Sequence, residues 1–79
     1  MTQVKDNPHP GEILDEKFLQ PLRLSQKALA DAIGVPSNRL NAIVRRTRHI
    51  SADTDLRLAR CLGPSTGFWL RLQQTYDLM

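Results

Sequence analysis

Ser37, Asn38, Arg39 and Asn41 stand close together in the run Ser-Asn-Arg-Leu-Asn, just after Gly34-Val35-Pro36. All four carry side-chain hydrogen-bond donors, and the serine and asparagines also accept. The arginine fork matches the paired acceptors on a guanine edge, and an asparagine amide matches adenine in the same way. Gln26 and Lys27 precede this cluster, and Arg45, Arg46 and Arg48 follow it. Cations flanking a short polar cluster suit a polymer whose phosphates take the charge and whose bases meet the polar tips. The net charge of +3 conceals how local this is: residues 23–49 carry six basic groups against Asp31 alone, a net of +5. A charge run by itself is usually only solvated surface. The elements that carry these residues decide between the two readings.

Leu29 and Ile33 lie one helical turn apart with Ala28 and Ala32 beside them, and Leu40, Ile43 and Val44 form an i, i+3, i+4 stripe. Gly34 sits where the first of these helices must stop and the chain reverse, a position that favours positive φ. Pro36 suits the entry to the second, with φ preset and no N–H to lose. The spacing therefore predicts helices over residues 25–33 and 37–46 joined by a tight turn. That is the helix-turn-helix layout, whose second helix enters the DNA major groove. In this frame Ser37, Asn38, Arg39 and Asn41 are expected at base edges. Gln26, Lys27, Arg45, Arg46 and Arg48 are expected on phosphates.

The rest of the chain reads as three more helices in one all-α domain, residues 10–79, behind an extended arm at 1–9. The first runs from Pro10 to about Leu19, with Ile13, Leu14 and Phe18 on its apolar face and Pro21 stopping it. The fourth is capped by Ser51, packs through Leu56, Ala59 and Leu62, and ends at Gly63-Pro64. The fifth starts at a Ser65 or Thr66 cap and holds Phe68, Trp69, Leu70, Leu72, Tyr76 and Leu78. It is apolar on more than one face, so Trp69, Leu72 and Tyr76 are expected at a homodimer interface. The alternative is that Trp69 closes a small core.

Other chemistries find no support. Cys61 is the sole cysteine; it is expected on the core side of the fourth helix, and no internal disulfide can form. His9 and Glu12 lack a third nearby histidine or cysteine to complete a metal site. Ser25, Ser37 and Ser51 fall at helix starts, which accounts for them without nucleophilic chemistry. With no glycine-rich phosphate loop either, the expectation is a protein with no enzymatic activity, metal or cofactor. No apolar run approaches a membrane span and the N-terminus lacks a signal-peptide core, so a cytoplasmic location is expected.

Three blocks and an ending carry a family resemblance. They are His9-Pro10-Gly11-Glu12-Ile13-Leu14, residues 24–45, residues 51–60 (Ser-Ala-Asp-Thr-Asp-Leu-Arg-Leu-Ala-Arg), and Phe68-Trp69-Leu70-Arg71-Leu72-Gln73 with Tyr76-Asp77-Leu78. The chain resembles the HigA-type addiction-module antitoxins, the VapI-like group of the λ-repressor-like helix-turn-helix superfamily, from about residue 8 onward. The resemblance implies a compact five-helix λ-repressor-like domain. It also implies a dimer that represses its own operon by binding operator DNA and neutralises a HigB/RelE-like ribonuclease toxin. A stand-alone regulator of phage-repressor type, with no toxin, is the alternative. By analogy, Ser37, Asn38, Arg39 and Gln26 are the matching recognition positions. With the sequence ending at Met79, toxin contact is expected on folded surface. Arg46 stands where many members carry glycine, and Gly67 where relatives often carry an acidic residue.

Overall fold

His9 starts the first helix by accepting the Gly11 N–H on Nδ1 at 2.9 Å, and Pro10 fills the first helical position. The computed structural model describes residues 8–63 and 65–78. The expected arm therefore lies outside the described residues except for its last two, as does Pro64. Helix α1 covers residues 10–22: α-helical over Pro10–Ile13, π-wound over Leu14–Leu19 and α-helical again over Gln20–Leu22. It thus runs three residues past the stop expected at Leu19. Proline in a regular α-helix clashes with the carbonyl four residues back and leaves it without a donor. The wide turn before Pro21, in which the Gln20 N–H bonds back five residues to the Asp15 carbonyl, removes that register. It also swings Leu14 and Leu19 toward one face; regular α-helical steps would hold them roughly 140° apart. Both are buried.

Helix α2 (Gln26–Ile33) is capped by Ser25, whose Oγ accepts the Ala28 N–H at 3.0 Å. Gly34 ends it at φ 77°. The Arg57 guanidinium donates to the Ile33 carbonyl at 2.6 Å, satisfying one of the orphan acceptors at that end. Helix α3 (Ser37–Val44) follows, with Pro36 rather than a serine as N-cap. It stops two residues short of the expected Arg46, because Arg45 and Arg46 form the turn that closes it. Helices α4 (Ala52–Leu62) and α5 (Phe68–Asp77) complete the domain. Among the described residues there are five helices and no strand, the all-α arrangement expected.

The core gathers Leu14 and Leu19 of α1, Leu29, Ala30 and Ile33 of α2, Leu40 and Ile43 of α3, Leu58 of α4 and Trp69 of α5. Two sequence expectations fail in α4. Its buried line is Thr54, Asp55 and Leu58; of the expected stripe, Leu62 packs against the core and Ala59 is half-buried, while Leu56 is exposed. Cys61, expected inward, is also exposed. One cause explains both: the inward face contains an aspartate, so the apolar residues alone draw its edge in the wrong place. Asp55 is buried because its carboxylate accepts the backbone N–H groups of Gly67 at 2.7 Å, Trp69 at 2.9 Å and Leu70 at 3.4 Å. These are orphan donors at the start of α5. The cap expected from Ser65 or Thr66 is thus supplied by a neighbouring helix.

A third correction concerns Trp69. It is 0% exposed, with its ring 5.3 Å from Phe18 and 5.0 Å from Phe68. A side chain enclosed by its own protomer touches no partner, so Trp69 closes the core. Leu72 is half-buried and Tyr76 is exposed, standing 4.8 Å from His9 with the rings near perpendicular.

Candidate nucleic-acid interface

The turn at Gly34–Pro36 sets α3 across the end of α2 and leaves the first turn of α3 uncovered. Ser37 and Asn38 are exposed and Arg39 is half-buried. Neither Asn38 nor Arg39 has an ion-pair or side-chain hydrogen-bond partner among the described residues, so their donor groups remain open. Leu40 and Ile43 bury the opposite side of the helix, and that burial fixes which side faces outward. Asn41, one turn on from Ser37, is exposed, and its Nδ2 donates to Gln26 Oε1 at 3.0 Å. The structure therefore joins two residues fifteen positions apart in the sequence. The bond ties the first turn of α2 to the middle of α3 and leaves Asn41 Oδ1 and Gln26 Nε2 without a hydrogen-bond partner among the described residues.

The cations divide into three groups. Lys27 pairs with Asp31 at 3.4 Å, an exposed i, i+4 contact that a phosphate could readily replace, since such pairs stabilise by only about 0.3–0.5 kcal/mol. Arg45 and Arg48 are exposed, without an ion pair among the described residues. Arg46 differs: its guanidinium lies 3.3 Å from the Glu12 carboxylate, which is only 9% exposed.

Glu12 belongs to a brace that sequence reasoning missed, although the run His-Pro-Gly-Glu was its signal. Gly11 is buried against the backbone of Ile43 and Val44 at the end of α3. The His9 ring is 1% exposed. Because Nδ1 accepts the Gly11 N–H, the neutral ring carries its proton on Nε2. Downstream, the loop after α3 is tied to α5 by the Ile50 N–H, which donates to Gln73 Oε1 at 3.0 Å. His49 lies 3.9 Å from Asp77, which also accepts from Gln73 Nε2 at 3.0 Å. Helix α3 is thus held at its C-terminal end by α1, while the loop that follows it is held by α5.

Burial, and then the nearby charges of Arg46 and His49, hold the His9 pKa below its ordinary 6.5, against the opposing pull of Asp77 and Glu12. The unfolded chain takes up this proton near pH 6.5 while the folded chain still excludes it. Stability is therefore expected to fall as pH drops below about 6.5, down to the lowered folded value. Thermal melts between pH 8 and 5 check this against His9→Asn, which keeps a capping acceptor and should flatten the decline.

Comparison with known proteins agrees with the helix-turn-helix fold. The helix-turn-helix family profile matches residues 16–70. Virulence-associated protein I of Dichelobacter nodosus is 53% identical over 70 residues, covering 89% of this chain and 65% of that protein. The chain therefore spans about two thirds of that relative's length. The solved structure of the Pseudomonas aeruginosa antitoxin HigA with the higBA promoter superposes with a TM-score of 0.88 at 46% identity, covering 91% of this chain and 78% of that one. Antitoxin GraA in complex with its operator superposes with a TM-score of 0.86 at 42% identity, covering 99% and 79%.

Proposed function

Because the chain belongs to the helix-turn-helix family, and within it to the HigA-type antitoxins, we propose that it is an operator-binding autorepressor that also neutralises a HigB/RelE-like toxin. The observation that carries the DNA half is the open first turn of α3, flanked by exposed cations on both sides. Ser37, Asn38 and Arg39 read base edges, with Asn41 beside them. Gln26, Lys27, Arg45 and Arg48 hold phosphate. Two copies pair so that both α3 helices meet one face of the duplex about a turn apart. Leu72 and Tyr76 are the α5 residues left to contribute to that pairing. The names of the relatives support the toxin half, which acts without enzymatic chemistry of this chain's own. Among the described residues no helix is long and apolar enough to cross a membrane.

The test begins with duplexes enriched by the wild-type chain from a random-sequence library, and with growth of cells expressing the neighbouring gene with and without this chain. Failure to enrich any duplex would end the DNA reading. DNA binding without rescue of growth would leave a stand-alone regulator. If about six phosphates are neutralised per dimer, log K should fall against log salt with a slope near −5. Within that assay, Arg39→Ala is expected to cost about 1–3 kcal/mol and relax preference at one base position. Arg48→Ala should weaken all sequences alike and make the slope shallower by about two, since each protomer of the dimer loses one phosphate contact.

A further inference from the structure

Arg46 occupies a position that does not suit its type. It lies just past the end of α3 at φ 67°, in the left-handed region that side chains rarely adopt. The turn there has the Schellman pattern: the Thr47 N–H donates to the Ala42 carbonyl at 2.9 Å and the Arg46 N–H to the Ile43 carbonyl at 3.0 Å. Glycine is the usual residue at the left-handed position of that motif. An arginine there strains the backbone, so something in the fold must offset the strain. Its neighbours Arg45 and Arg48 are exposed cations of the kind that grip phosphate. Arg46, whose side chain is itself 50% exposed, reaches back to the nearly buried carboxylate of Glu12, whose neighbour Gly11 lies against the carbonyl of Ile43. That carbonyl also accepts the Arg46 N–H. Backbone approach and ion pair thus converge on one turn.

We infer that Arg46 is a positioning residue and not a phosphate ligand: paired with Glu12, it clamps the last turn of α3 to the start of α1 and so fixes the pitch at which Ser37, Asn38 and Arg39 meet the groove. The inference rests on the DNA reading proposed above. The low exposure of Glu12 makes the pair less prone to screening than an ordinary surface pair. The free chain carries the clamp already, so no rearrangement is needed on binding. Arg46 keeps its carboxylate partner in the complex, and its charge adds no term to the salt dependence.

Arg46→Gly separates the roles, because glycine relieves the strained φ while cutting the clamp. Binding of the library-enriched duplex is expected to weaken about fivefold with the salt slope unchanged, while thermal stability stays near that of wild type. Glu12→Gln should give the same loss at the same slope. A slope shallower by about 1.8 in Arg46→Gly, one phosphate lost from each protomer, would make Arg46 a phosphate ligand and overturn the clamp. Unchanged affinity in both variants would also overturn it, as would tighter binding by Glu12→Gln, which would mean that Glu12 competes with DNA for Arg46. A measurement without DNA keeps the two readings apart. Amide exchange at Arg46 and Thr47 should quicken about tenfold in Glu12→Gln; unchanged protection refutes the clamp, even if the wild type enriches no duplex and the DNA reading fails.

Discussion

Gly11→Ala is expected to destabilise the domain by about 3 kcal/mol or more. A Cβ at this position would overlap the Ile43 carbonyl oxygen and stand 2.7 Å from Ile43 C and 2.9 Å from Val44 Cα. All three obstacles are backbone atoms, so no side-chain rotation can clear them. Either α1 lifts away from α3 or the last turn of α3 unwinds. Both disturb the His9 cap and the Arg46–Glu12 pair, which flank the contact. For a domain of this size each kcal/mol moves the melting temperature by about 4–8 °C, so a fall of more than about 12 °C is the expected reading. A variant that melts within about 2 °C of wild type would show that the helices do not approach this closely.

Asp55→Ala should cost a comparable amount, about 3 kcal/mol, through a different mechanism. The buried carboxylate accepts three backbone N–H groups at the start of α5, where the helix dipole also favours negative charge. Alanine would leave those donors without a partner inside the fold, and leaving a buried donor unsatisfied costs more than its hydrogen bond gains. Asp55→Asn is expected to recover less than half of the loss. Its one oxygen can still serve Trp69 and Leu70, but its amide nitrogen would then face the Gly67 N–H. Urea denaturation checks the series. Near-equal midpoints for wild type and alanine would mean that the Phe68 N–H bond to the Ser65 carbonyl (3.1 Å) suffices to start the helix.

These two sites mark where the sequence was hard to read. The helix-turn-helix was legible because its signals are local. Two amphipathic segments, a glycine at the reversal and a proline at the next entry each act over a few residues. The open first turn of α3 followed from the same stripe, since burying Leu40 and Ile43 leaves Ser37 and Asn38 outside. The start of α1 was legible too, as a proline preceded by a histidine able to cap. Pro21 misled because a proline stops a helix only in the α register, and a π turn is not written in the apolar spacing.

Leu56 was read as core, and Trp69 was placed at an interface, for a shared reason. A buried aspartate looks like a surface residue until its donors are known, and a tryptophan at helical spacing looks equally suited to either side. Arg46 shows the same gap. Its charge was legible, but its carboxylate partner lies 34 positions away, at the start of another helix.

Residue order alone determined the helices, the reversal between two of them and the concentration of positive charge there, because propensity, capping and amphipathic period act within one or two turns. Tertiary structure decided which polar groups became internal partners: Asp55 with α5, Glu12 with Arg46, Gln26 with Asn41. Those choices depend on the free energy of removing a charge or amide from water, and that is offset only when a distant donor or acceptor arrives at hydrogen-bonding range.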